Sequence, residues 1–326
     1  MNAGGRSGIV GWWLSGGRTR LEGRHVVGVE QRQLDSALRA IRVKAWRLHL
    51  ETPGVVATVP MLRGVWGAAL RAESEACYCR LFEGAESERP RYLMRPAPQV
   101  AQPAPAVEFL LFPATTNLLD DRDHEEIAWT AWDRACRQGL GPHRHPFRIS
   151  SAVPLAWDGS ALEPARRQPG FVLEDLPWPA GTEETPCRLE FPAPLRLLRQ
   201  GKLIALPTPA DIVLAALHRV CALAGPDTDP LWAARRYWLE LGRAVPCEPW
   251  QGRRLDLVRY SGSQKAEVEL RGVAGSLALP VGPGPLSPLL AAAAWIHIGK
   301  GTVMGLGQIK ITACDRAGSE FREHRT

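Results

Sequence analysis

The order of elements read from the sequence makes this chain an α+β protein built from two similar units. Three observations carry that reading. Val43–Leu50 alternates polar and apolar residues, as a half-buried strand does, and Met61–Arg71 follows it with helical spacing. The same succession restarts at Cys187–Phe191 and Pro209–Ala224. The chain then closes on a Gly-rich loop, Gly299–Gly307, which delivers it into a second alternating stretch, Gln308–Thr312. With 326 residues there is room for two domains of ordinary size.

Taken in order, residues 1–38 read as an N-terminal extension; Met1–Gly23 is rich in Gly and Arg and has no periodicity, and Val29–Ala40 can begin a short helix. The first unit spans residues 39–157. In its first strand Trp46, Leu48 and Leu50 share one face, and Arg47 and His49 the other. After the break at Thr52-Pro-Gly54, Leu62, Val65, Trp66, Ala69 and Leu70 make one side of a helix that continues toward Cys77–Phe82. Pro90–Pro105 holds five prolines and reads as an extended connector. Val107–Phe112 is a short strand. Glu125–Gln138 is a helix with Ile127, Ala128, Ala131, Trp132 and Ala135 on one side, ended by Gly139, and Phe147–Val153 returns as a strand.

Residues 158–186, rich in Pro, Gly, Glu and Arg, read mainly as a linker. The second unit spans 187–314. It contains a strand at Cys187–Phe191, a helix at Pro209–Ala224, and two strands, Leu255–Ser261 and Ala266–Arg271, joined at Gly262-Ser-Gln264. A helix at Leu286–Trp295, the Gly-rich loop and a last strand complete it, and 315–326 are a tail. Strand, helix, two strands, helix, strand is the ferredoxin-like succession, so the expected fold is two tandem ferredoxin-like (βαββαβ) domains.

Composition narrows the function classes. A hydrophobic fraction of 45% with 23% charged residues is that of a globular protein. No apolar run approaches the ~20 residues of a membrane helix, and Trp12-Trp13-Leu14 is too short for a secretory core; the expected location is the cytoplasm. Cys77-x-Cys79 is the one close cysteine pair among seven and lacks the spacing of a zinc knuckle, so the cysteines are expected to be free thiols, with no metal and no cofactor. Forty Lys and Arg residues and a net charge of +6 favour anionic partners, nucleic acid first, although GC-rich coding also enriches Arg, Ala, Gly and Pro.

The Gly-rich loop is not a nucleotide-binding fingerprint. A Walker loop needs Gly-Lys-Ser/Thr with a glycine five residues before the first of these, and here Lys300 is followed by Gly301 while position 294 is Ala. A dinucleotide fingerprint needs Gly-x-Gly-x-x-Gly opening a helix, whereas here a strand follows. Two readings stay open: a backbone concavity for an anion, with Lys300 beside it, or a tight turn that needs glycine for its own geometry.

Several ordered pieces resemble the CRISPR precursor-RNA-processing endoribonucleases of the RAMP (repeat-associated mysterious protein) superfamily. They are Phe191-Pro-Ala-Pro-Leu-Arg-Leu197, Val258-Arg-Tyr-Ser-Gly-Ser-Gln264, Leu270-Arg-Gly-Val-Ala-Gly275 and His297-Ile-Gly-Lys-Gly-Thr-Val-Met-Gly-Leu-Gly-Gln-Ile309, and more loosely Pro60–Arg71, Leu81-Phe-Glu83 and Gly139-Leu-Gly141. The resemblance implies metal-independent cleavage of CRISPR repeat RNA to mature guide RNA. The 2′-hydroxyl attacks the adjacent phosphate and the 5′-oxygen leaves, which calls for a base, an acid and a cation. It also implies repeat RNA as the partner, with other CRISPR effector subunits as further ones, and no membrane.

The family's catalytic histidine is often near the first helix, and this sequence departs from that, because Thr52–Ala69 contains none. The candidates for chemistry are therefore His49, with Lys44 and Tyr78 for charge and a hydroxyl, and His25 as second choice; His218 and His297, in apolar runs, read as core residues. For RNA the candidates are Gly299, Lys300, Gly301, Thr302, Gly305, Gly307 and Lys310. Arg63 and Arg71 on the first helix, and Arg253, Arg254, Arg259 and Lys265 around the hairpin, follow. This departure leaves two alternatives open: cleavage with arginines in place of histidine, or a non-catalytic subunit that binds CRISPR RNA in an effector complex.

Overall fold

The computed structural model of the chain describes residues 28–83, 90–98, 105–113, 118–162, 170–261 and 266–314. His25, Lys265 and the Gly262–Gln264 turn lie outside them. The first half runs α1 (Val29–Arg39), β1 (Arg42–Glu51), α2 (Val59–Glu73), α3 (Glu75–Tyr78) with a π-turn at Cys79–Glu83, β2 (Tyr92–Pro96), β3 (Ala106–Leu111), α4 (Leu118–Gln138), β4 (Arg148–Pro154) and β5 (Phe171–Val172). The second half runs β6 (Cys187–Leu195), β7 (Leu198–Arg199), β8 (Lys202–Leu203), α5 (Pro209–Ala224), α6 (Asp229–Ala233), α7 (Arg235–Ala244), β9 (Gln251–Ser261), β10 (Ala266–Leu279), α8 (Ser287–Ile296) and β11 (Lys310–Ala313).

The strand orders are β2-β3-β1-β4 in one sheet and β11-β6-β10-β9 in the other. Numbered within each unit, both read 4-1-3-2, with every described pairing antiparallel. That is the ferredoxin-like topology, repeated, as the element order predicts.

Four departures from the sequence reading matter for the site. The stretch read as a proline connector contains β2; Pro96 ends this edge strand, where a missing N–H costs no ladder bond. Within the segment read as an extension, α1 buries Leu34, Ala37 and Leu38 in the core, and within the segment read as a linker, β5 pairs with β1 at Arg42↔Val172. Between the fifth helix and the hairpin, α6 and α7 add a helical layer over α5. Gly242 permits that close crossing, since a Cβ there would meet Ala210 Cα at 2.9 Å.

Alternation on β1 decides which layers meet. Trp46, Leu48 and Leu50 join Phe109 and Leu111 of β3 against α2 and α4, around Trp66 and Trp132. The Trp66 indole N–H donates to Ala128 O at 3.1 Å and ties the two helices together. The opposite parity, Val43, Ala45, Leu93 and Leu110, belongs to a second cluster shared with α1, α5, α8 and the inner face of the C-terminal sheet (Leu189, Phe191, Val273, Leu277). Strands β1, β2 and β3 of the first sheet are thus buried on both faces, and the two units share a core.

Candidate functional site

The Gly-rich loop seats the C-terminal unit on the N-terminal one. Its four glycines all have left-handed φ, +85°, +80°, +81° and +69° in order. At two of them the backbone also forbids a side chain. A Cβ on Gly307 would lie 1.8 Å from Ile298 O, and one on Gly299 would lie 2.6 Å from Arg196 O; one on Gly305 would make a tight 3.1 Å approach to Met94 O, in β2. The amides of Lys300, Met304, Gly305 and Gly307 donate to Arg196 O, Gly301 O, Thr302 O and Pro194 O at 2.9–3.0 Å. The turn reading therefore explains the glycines, and these four N–H groups are spent within the protein. Thr302, Gly305 and Gly307 are buried, while Lys300 stands out into solvent.

A buried polar chain locks the loop. His297, fully buried with φ +56°, precedes it. Its Nδ1 lies 3.1 Å from Leu306 O, and its Nε2 lies 3.5 Å from an Arg95 guanidinium nitrogen. A carbonyl only accepts and a guanidinium only donates, so His297 is the neutral tautomer with its proton on Nδ1. Burial, with Arg95 adding to it, holds its pKa well below the ordinary histidine value. Arg95 also lies over Trp295, 4.8 Å from the ring centre, and pairs with Glu108 at 2.6 Å; Glu108 pairs with Arg47 at 2.7 Å. The expectation of a core histidine at 297 is met. Its partners Arg95 and Glu108 had no sequence signal.

Beside the exposed side of the loop lies a cleft of about 1000 Å³, walled by α5, α7, Arg196–Arg199 and Gly299–Val303. Arg196, Arg199, Arg219, Arg243 and Lys300 line it, and among the described lining residues the one carboxylate is Asp211. Asp211 is already engaged: it pairs with Arg199 and accepts from the Thr208 hydroxyl at 2.7 Å in the capping box of α5. His218 is exposed on this wall with its ring 5.7 Å from Trp232, which corrects the expectation that it is a core residue. A helical period cannot tell the buried stripe from a cleft wall.

The residues proposed for chemistry do not converge. Lys44 and His49 are five apart on one regularly paired strand and so point to opposite faces. Lys44 reaches the helix side and is ion-paired with Glu125 of α4. His49 is half-buried on the other face, beside Ala106 and Ser151. Tyr78 instead joins two of the RNA candidates. Arg71 lies 5.2 Å over its ring, Tyr78 stacks on Phe82 at 4.8 Å, and Arg63 lies 4.1 Å over Phe82. Burial, the larger cause, raises the Tyr78 pKa. This ladder runs along α2, which also touches the Thr302–Met304 turn. Arg253 and Arg254 are exposed on β9, with Arg254 3.3 Å from Asp256; Lys310 on β11 is 3.6 Å from Glu190. Arg259 lies in β9 opposite Val268, its side chain outside the described residues.

Comparison with known proteins agrees with this architecture. Residues 189–309 match the family model for CRISPR-associated endoribonuclease Cas6, a span that ends just past the Gly-rich loop. Among solved structures, the Cas6 (TTHB231) product complex aligns with TM-score 0.55 at 17% identity, over 83% of this chain and 98% of that one. The Thermus thermophilus Cas6 (TTHB231) structure aligns with TM-score 0.52 at 16% identity, over 83% and 99%. The Cas6 (TTHA0078) product complex aligns with TM-score 0.53 at 19% identity, over 83% and 100%. At these identities the structural likeness establishes the fold. No curated protein sequence matches the chain.

Proposed function

We propose that the chain, whose residues 189–309 match the Cas6 family model, is a member of that family, binds CRISPR repeat RNA and cuts it within the repeat without a metal ion. The observation that carries the reading is a coincidence of position: the family match ends on the loop that presents Lys300 at a cation-lined cleft. RNA hairpins are held largely through phosphate and 2′-hydroxyl groups, so cations at fixed positions are what binding needs. In the proposed reaction a bond forms from the 2′-oxygen to phosphorus and the bond to the 5′-oxygen breaks. One group takes the 2′-hydroxyl proton, another returns a proton to the 5′-oxygen, and a cation meets the charge on the phosphorane. The cytoplasm is the matching compartment; among the described residues no helix is long and apolar enough to cross a membrane.

His49 is the first candidate for proton transfer, acting without Lys44, whose charge is engaged by Glu125. The test is incubation of the full chain with its cognate repeat RNA in EDTA. Cleavage is the expected result, and His49→Ala is expected to abolish it while sparing binding. Cutting that persists in His49→Ala discards His49. The second reading, a non-catalytic RNA-binding subunit, is favoured by the separation of Lys44, His49 and Tyr78 on different faces. RNA that binds but stays intact, with and without metal, selects it.

A further inference from the structure

The cleft beside Lys300 has a construction that an RNA-binding surface as such does not require. Its floor is apolar, with Leu214 and Ala215 from α5, Leu239 from α7, and Trp232. Its rim carries two cations held in fixed relation, because the Lys300 amide donates to Arg196 O at 2.9 Å and Gly299 packs directly on that carbonyl. Arg199 and Arg243 are paired, with Asp211 and Glu240. Among the described residues Arg196 and Lys300 have no carboxylate partner, and Arg196 Nε is buried without a hydrogen bond. Arg47 Nε at the junction of the units is likewise unbonded, so what marks this rim is two charges without a carboxylate.

An apolar floor with an aromatic ring, under a rim of unpaired cations, is complementary to a planar base joined to a phosphate. The volume is that of a small-ligand pocket, far below what a duplex occupies. We propose that this cleft holds an unpaired nucleotide of the bound RNA, its base over the Trp232–Leu214 floor and its phosphate between Arg196 and Lys300. The proposal rests on the RNA-binding reading above and adds to it a pocket that selects single strand over duplex.

The protein carries its own reporter. Cys247 lines the cleft and its thiol is exposed, while Cys79, also exposed, lies on the N-terminal unit. The experiment follows N-ethylmaleimide labelling of both thiols by peptide mass spectrometry in the full chain. The probes are repeat RNA, a short unpaired oligoribonucleotide, the same sequence as a blunt duplex, and nucleoside monophosphates; RNA binding is measured separately by fluorescence anisotropy. Repeat RNA and the unpaired oligonucleotide are expected to protect Cys247 and leave Cys79 unchanged, whereas the duplex protects neither. Arg196→Gln with Lys300→Gln, shown to be folded by its melting temperature, is expected to lose that protection. It should also lower the slope of log K against log salt by about 1 per cation removed.

Repeat RNA that binds while Cys247 reacts at its free rate overturns the pocket and leaves the RNA reading standing. Absence of any RNA binding overturns both. Equal protection by duplex overturns the single-strand assignment. Protection by monophosphates at the concentrations at which the oligonucleotide protects makes the ligand a free nucleotide and overturns the RNA assignment of the cleft.

Discussion

Two arginine clusters in this molecule use one side chain for opposite ends. At the junction of the units Arg95 and Arg47 share the carboxylate of Glu108, which is 1% exposed, and Arg95 also reaches Ala294 O and His297. Every charge there has a partner inside the protein. At the rim of the cleft, among the described residues, Arg196 and Lys300 have no carboxylate partner. Paired buried charges fix geometry and are costly to break, whereas unpaired ones near solvent contribute little to the fold and leave their charge for a ligand. The contrast sets a stabilising first cluster against a second one proposed for binding, and each side can be attacked separately.

The largest expected effect is at the junction. Glu108→Ala leaves two arginines facing a buried gap, and removal of one partner of a buried pair costs about 3–5 kcal/mol. Urea unfolding should show that loss, and a cost below about 1 kcal/mol would mean that water reaches the pair and the contrast is false. The loop offers the same comparison within nine residues. Gly307→Ala incurs about 1–2 kcal/mol for its left-handed φ alone, and the 1.8 Å approach of its Cβ to Ile298 O adds to that. Lys300→Ala, on the exposed side of the same loop, should stay within about 0.5 kcal/mol of the parent while weakening RNA binding. Equal losses at 300 and 307 would erase the distinction between a packed side and a binding side.

The pattern of legibility follows from the same contrast. The position of the loop could be read because glycine marks the sites where the chain needs left-handed φ. The two units could be read because Trp46–Leu50 and Pro209–Ala224 carry their own periods. What could not be read depends on partners distant in sequence. Arg95 sits 202 residues from His297, so neither predicts the other. Tyr92–Pro96 is disguised by prolines that an edge strand tolerates. The cleft draws its walls from α5, α7 and two loops, and no local motif announces it. Arg196 lies within Phe191–Leu197, a stretch that resembles the family, yet only the backbone bond from Lys300 brings it beside that lysine.

A smaller effect separates the clusters by pH. His297 is neutral in the fold because burial depresses its pKa. In the unfolded chain it titrates near 6.5, so below that pH the unfolded state takes a proton that the folded state refuses. The stability is present above pH ~6.5 and is lost as pH falls, at up to about 1.4 kcal/mol per unit from this one group. His297→Gln keeps a donor and an acceptor without titrating, and its stability should depend less steeply on pH between 7 and 5. An unchanged slope would locate the acid sensitivity elsewhere.

The smallest effect concerns whether the two units open together. Each has a sealed thiol and an open one, Cys77 and Cys79 in the first, Cys187 and Cys247 in the second. Burial raises Cys77 to about 11 and Cys187 to about 12, so near pH 8 neither holds the thiolate that alkylation needs. Their labelling therefore reports opening of the surrounding core. Cys187 belongs to the cluster that also takes Val43, Ala45, Leu93 and Leu110 from the first sheet, and Cys77 lies behind that sheet's other face. Strands buried on both faces, as β1, β2 and β3 are, cannot release one face without exposing the other side's support. Cys77 and Cys187 should become reactive at the same urea concentration, with Cys79 and Cys247 reactive throughout. Two separate midpoints would show that the shared core does not couple the units, and the Arg95–Glu108 junction would then be a contact between independent domains.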